Sequence, residues 1–148
     1  PAIDNRFSIV EVVSHNGGKI EAIPVSCSRE ILEKLKKDVK VIGIDEGQFF
    51  DTEVIKIIRD LIKQDKIVIV AGLDMDFRGE PFGPMPELMA MADEVLKLHA
   101  ICVICGDDAT MTQRIINGKP AHYSDPTILI GAEEKYEARC RQHHEVIE

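Results

Sequence analysis

Two pairs of side chains stand out for what they could bind: Cys102-x-x-Cys105 and, far downstream, Cys140-x-x-His143. Thiolate and imidazole are the usual donors to zinc, which takes four of them tetrahedrally. Two such knuckles bridged by a hairpin make a zinc ribbon. A full set of four protein ligands leaves no position for water, so the expected role is structural. Buried free cysteines beside a surface histidine are the bland alternative, and two correctly spaced pairs count against it. His144 adjoins His143, so the fourth ligand stays open between the two. Cys27 is unpaired and reads as a small residue at a helix boundary.

A second constellation is Val41-Ile42-Gly43-Ile44-Asp45-Glu46. An apolar strand that ends in two carboxylates places them at the C-terminal edge of a parallel sheet, where open α/β folds bind their ligands. One carboxylate there can serve Mg²⁺, often through water. The other can accept a proton from a nucleophile. A strand followed by a solvated acidic turn reads about as well, since short motifs of this kind recur by accident. A third set is aromatic: Phe49, Phe50, Phe77, Phe82, Tyr123 and Tyr136 in a chain with no Trp. Several lie just after the two inner strands, where an aromatic could stack on a flat base, although core packing is the commoner fate of Phe.

The elements that must position these groups follow from periodicity. Residues 1–18 read as loop, with Gly17-Gly18 as a turn. Lys19 to Val25 reads as a short strand, and Ser28 as the N-cap of a helix from Arg29 to Lys37. Val39 to Ile44 and Ile67 to Ala71 read as buried strands. Between them Asp51 can cap a helix whose Val54, Ile57, Ile58, Leu61 and Ile62 form an apolar stripe. Strand, helix, strand in that order implies a parallel βαβ unit. Glu87 to Asp93 reads as helix and Glu94 to Leu98 as one more strand, with a structured Gly/Pro/Phe-rich loop before them. Asn117-Gly118 between extended segments signals a hairpin. The expected organisation is an α/β core over 1–101 and a small β-rich zinc-bearing appendage over 102–148.

Composition limits the function classes. The 148 residues are 45% hydrophobic, enough for a packed core, and carry a net charge of −8. Such a charge repels phosphate backbones and argues against a nucleic-acid partner. No run approaches the length of a membrane span, so no membrane partner is expected. Four cysteines without a disulfide framework suit a reducing cytoplasm.

Taken in order, several segments resemble the zinc-containing thymidine kinase family of the bacterial and vertebrate-cytosolic type. They are Asp4-Asn5-Arg6-Phe7-Ser8, Asp45 to Phe50, Ala71 to Gly83, Thr112-Gln113-Arg114, and Ile130 to Arg141 together with the cysteine pairs. The ordered set spans nearly the whole chain. The resemblance implies a P-loop kinase α/β core with a zinc-ribbon subdomain, assembled as a homotetramer. It implies transfer of the γ-phosphate of ATP, with Mg²⁺, to the 5′-hydroxyl of thymidine or deoxyuridine. It also implies roles: Glu46 as general base, Asp45 and Asp4 as metal-side carboxylates, and Arg6 as a phosphate-side arginine. Phe49, Leu73, Phe77 and Phe82 would surround the deoxynucleoside, with Thr112 and Tyr136 near base and sugar. The segment between the zinc pairs, including the substrate-binding positions Thr127 and Leu129, would be a lasso that holds the base largely through main-chain groups. Cys102, Cys105, Cys140 and His143 would hold the structural zinc, with His143 standing where many relatives have Cys.

The family opens with a strand and a Gly-Lys-Ser or Gly-Lys-Thr phosphate loop, and no G-x-x-x-x-G-K-[ST] occurs in these residues. Pro1 to Arg6 reads like the middle of a loop. The expectation is therefore that the loop belongs to the natural protein upstream of Pro1, and that the 148 residues alone do not bind ATP measurably. Two other readings compete. A related P-loop nucleotide kinase with a different acceptor would show in a nucleoside panel. A non-enzymatic zinc-ribbon interaction module is disfavoured by the acidic charge.

Overall fold

The computed structural model describes residues 11–13, 19–127 and 134–148. The chain forms two compact units, Pro1–Asp74 with Gly83–Ala92, and Met75–Phe82 with Asp93–Glu148.

In the first unit, strands β1 (Glu11–Val13) and β2 (Lys19–Glu21) pair antiparallel, with Glu11 opposite Glu21. Residues 11–13 are thus strand where loop was expected, and the expected strand from Lys19 stops at Glu21. The Gly17-Gly18 turn falls outside the described residues. Helix α1 spans Arg29–Lys34, shorter than the pattern suggested, because Leu35 already has extended backbone. Ser28 precedes it without a side-chain cap bond. Strands β3 (Val41–Ile44) and β4 (Ile67–Val70) pair in parallel, Val41 beside Ile67 through Ile44 beside Val70. Helix α2 (Glu53–Ile62) connects them, giving the βαβ unit that the periodicity implied.

Helix α2 supplies the centre of the core. Val54, Ile55, Ile57, Ile58 and Leu61 pack with Ile42 and Ile44 of β3, Phe50, and Met85 and Leu88 of helix α3 (Met85–Met91). The buried stripe includes Ile55 and omits Ile62, which sits exposed at the helix end. The two inner strands are not buried on both faces as their apolar runs suggested. They alternate, with Val41, Ile67 and Ile69 exposed. Residues 94–98 form no strand. Leu96 and Leu98 are each 83% exposed, so the apolar run there lacks the packing that would fix it as an element.

The second unit contains a hairpin of β5 (Ala100–Ile101) and β6 (Asp108–Ala109) and a three-stranded antiparallel sheet ordered β8 (Lys119–Pro120), β7 (Met111–Ile116), β9 (Glu134–Arg139). Asn117 and Gly118 both have left-handed φ, 51° and 76°. This is the geometry a two-residue hairpin turn asks of Asn-Gly. The unit takes in residues 75–82 and 93–101 as well as 102–148. Phe77 draws the first of these in, since His144 bonds its carbonyl and the Arg114 guanidinium lies over its ring.

Candidate functional site

The carboxylate pair lies where β3 ends. Ala71 N–H donates to Ile44 O at 2.8 Å and Gly47 N–H to Ala71 O at 2.9 Å, so parallel pairing carries on past both strands. Between those anchors the chain turns sharply, and Glu46 takes a left-handed backbone, φ 55°. Such a conformation is uncommon for a residue with a side chain and concentrates at functional sites. Asp45 and Glu46 are both exposed, and Asp45 Oδ1 accepts the Glu46 N–H at 3.0 Å. Glu46 Oε2 accepts a bond of 2.5 Å from the Gln48 carboxamide, which is 2% exposed. The same carboxamide accepts the Leu73 N–H at 3.0 Å. Asp45, Glu46, Phe49 and Leu73 thus all belong to the first unit, around the ends of β3 and β4.

A second group of the expected residues gathers in the other unit. Thr112 and Arg114 lie on β7, and Tyr136 on β9 faces Arg114 directly, so all three share one face of the sheet. Arg114 is fully buried; it donates to Glu134 at 2.8 Å and to Pro126 O at 2.6 Å. Its guanidinium stands 5.1 Å from the Phe77 ring centroid and 6.0 Å from that of Tyr136. Arg78 lies 4.5 Å from the same Phe77 ring. It also holds Tyr123 O, Asp125 O and Thr127 Oγ1. Phe77 is 4% exposed, so core burial and cation–π contact account for its surroundings in this chain. Phe82 is half-buried in the same unit. Asp4, Arg6 and Leu129 lie outside the described residues.

The cysteine pairs converge. One ligand atom each from Cys102, Cys105, Cys140 and His143 lies within 4.8 Å of every other. Cys102 Sγ to His143 Nδ1 is 3.8 Å, Cys105 Sγ to Cys140 Sγ is 3.8 Å, and Cys140 Sγ to His143 Nδ1 is 3.2 Å. Zinc with bonds of about 2.3 Å to sulfur has tetrahedral S···S edges of about 3.8 Å, so the donor set and its spacing fit that ion. His144 is turned elsewhere, its Nε2–H donating to Phe77 O at 2.8 Å. Burial pushes the Cys102 thiol up, but N–H groups of Cys105, Cys140 and Ile104 outweigh it and bring it down to about 6. The Asp107 amide lowers Cys105, while burial and the side chains of Asp107, Cys102 and Cys140 raise it to about 12. A divalent cation among these sulfurs removes that opposition by favouring thiolate at each.

Two of the residues that order these groups, Gln48 and Gln113, lie in segments that carry the family resemblance, but no role for either was legible there. Gln113 in fact clasps Glu145 through both main-chain groups, at 2.8 Å each, tying the second knuckle to β7. Only a buried polar residue inside a strand or turn, visible once burial is known, marks them.

A sequence model of the thymidine kinase family matches residues 1–144. A protein named thymidine kinase from Coprothermobacter proteolyticus is 61% identical over 146 residues, covering 99% of this chain and 73% of that relative. With identity of that extent and the family match running through both units, the chain belongs to the thymidine kinase family.

Proposed function

We propose that the protein transfers the γ-phosphate of ATP to the 5′-hydroxyl of thymidine or deoxyuridine, in deoxynucleotide salvage. The observation that carries the reading is the placement of Asp45 and Glu46 at the C-terminal end of a parallel strand, in a chain of this family. Phosphoryl transfer asks mostly for positioning and charge neutralisation. Mg²⁺ bound with ATP supplies the neutralisation, and Asp45, exposed at the end of β3, is the described carboxylate suited to its side of the site. Glu46 is the general base: its carboxylate takes the proton of the 5′-hydroxyl as that weak nucleophile attacks. Phe49, Leu73, Phe77, Phe82, Thr112, Thr127, Leu129 and Tyr136 are the proposed substrate-binding positions, and Asp4 and Arg6 the phosphate-side ones.

Cys102, Cys105, Cys140 and His143 hold a structural zinc in this reading, and the ligand-atom spacing supports it. The parent architecture is a P-loop kinase core assembled as a homotetramer in the cytoplasm. Among the described residues, no helix is long and apolar enough to cross a membrane.

The test is a panel of nucleosides with ATP. Thymidine and deoxyuridine should be phosphorylated at the 5′ position. Deoxycytidine should be poor, since its 4-amino group puts a donor where the 4-oxo group puts an acceptor, and such mismatches leave buried groups unpaired. Equal kcat/KM for deoxycytidine and thymidine refutes the specificity, and phosphorylation of some other acceptor alone refutes the function.

A further inference from the structure

Gln48 occupies a site built to hold one carboxamide in one orientation. The Leu73 N–H can only donate, so the oxygen of Gln48 must face it. The ionised Glu46 carboxylate can only accept, so the Gln48 amino group must face it. The two contacts agree on a single rotamer of the amide, and no other ordinary side chain of that length offers an acceptor and a donor side by side. The packing leaves it little freedom. A Cβ on Gly72 would stand 2.6 Å from the Gln48 oxygen, and one on Gly83 would stand 2.1 Å from the Gln48 carbonyl oxygen. Gly83 also has left-handed φ, 52°, so the backbone approaches Gln48 as only glycine allows.

Glu46, by contrast, is exposed and sits on a left-handed backbone. Left alone, an exposed glutamate samples several rotamers, and only some point its carboxylate at any given atom. We propose that Gln48 is the positioning residue for Glu46: its buried carboxamide fixes the exposed carboxylate and couples it to the main chain of Leu73, on the loop after β4. This rests on the reading of Glu46 as the general base. Gln48 touches no reacting atom in this role; it acts through Glu46.

The prediction is separable from a purely structural one. Gln48→Glu keeps an oxygen for the Leu73 N–H and sets an oxygen against Glu46. Gln48→Met keeps the volume and removes both polar atoms. In the full-length protein each should lower kcat roughly 10- to 100-fold, the scale on which a misplaced catalytic group acts. The KM for thymidine should stay within about threefold in Gln48→Glu, which keeps the contact to the Leu73 N–H. The decisive measurement repeats Gln48→Glu in a Glu46→Gln background. If Gln48 works through Glu46, the second substitution should change kcat by less than about twofold there. Full kcat in Gln48→Glu and Gln48→Met, or the same fold-loss in both backgrounds, overturns the proposal while leaving Glu46 as the base. Near-normal kcat in Glu46→Gln itself overturns the base assignment and this proposal with it.

Discussion

At the scale of single residues, Glu46 combines an exposed carboxylate with a left-handed backbone at the end of β3. Backbone strain of this kind persists only where its surroundings impose it. Here they are the Gly47 and Ala71 main-chain bonds on one side and the buried Gln48 on the other. As base for a 5′-hydroxyl, Glu46 is predicted to matter for rate and little for affinity. Glu46→Gln should lower kcat by roughly 10²–10⁴-fold, the usual range for loss of a general base. Thymidine affinity by calorimetry should hold. A neighbouring substitution should echo this. The Cβ of Gly72→Ala would meet the Gln48 oxygen at 2.6 Å and the Gly47 nitrogen at 2.9 Å. Overpacking at a site flanked by backbone costs about 1–3 kcal/mol. Denaturant unfolding should read that cost, together with a fall in kcat. Unchanged stability and rate would show that the chain yields there.

At the scale of elements, Asp51 ties two helices together. One carboxylate oxygen accepts the Glu53 N–H at 3.0 Å at the start of α2, and the other accepts the Ser28 N–H at 3.1 Å beside α1. Burial raises this carboxyl, but the Ser28 and Glu53 donors outweigh it and hold it below its ordinary value. A depressed carboxylate stabilises the fold above its unfolded pKa and loses that contribution as pH falls through the folded one. Stability from Asp51 should therefore be complete at neutral pH and fade below about pH 4. Asp51→Ala should cost about 1 kcal/mol at pH 7, as loss of a helix cap does, and flatten the acid limb of the stability profile. An unaltered acid limb would remove Asp51 from that account. The cluster of Cys102, Cys105, Cys140 and His143 is the proposed corresponding device in the second unit. His143→Ala should lose the metal by elemental analysis, while His144→Ala should keep it and loosen the segment at Phe77, whose carbonyl His144 holds. The opposite result would exchange the two histidines' roles.

For the whole molecule, the two units are stabilised differently. The hydrophobic core cluster, from Ile42 to Leu88, lies entirely in the first unit. The second buries Phe77, Cys102, Ala109 and Ala121, with Arg114, Gln113 and Asp76 beside them. Little of that is large and apolar, and a unit of this size builds little core unaided. Zinc should therefore be coupled to its folding. A strong chelator should lower the stability of residues 93–148 first and weaken thymidine binding, while amide protection around α2 persists. Simultaneous loss of protection in α2 would contradict this separation.

Several features could be read from the residues alone, and the reason is locality. The parallel βαβ unit followed from apolar periodicity, since α2 carries Val54, Ile57, Ile58 and Leu61 at helical spacing. The hairpin followed from Asn117-Gly118, whose left-handed preference is intrinsic. The convergence of Cys102, Cys105, Cys140 and His143 followed from spacing, because each pair closes a local turn. Other features were set by contacts distant in sequence. Residues 94–98 had an apolar pattern that suited a strand, yet strand formation needs a partner, and local pattern does not supply one. The inclusion of 75–82 in the second unit depends on Arg114 and His144 reaching Phe77. The bridge from Glu46 through Gln48 to Leu73 depends on a bond between Gln48 and Leu73, positions 25 residues apart. Glu46 could be singled out by its type and its place after a strand. What holds it there depends on burial and close approach, which exist only once the chain has folded.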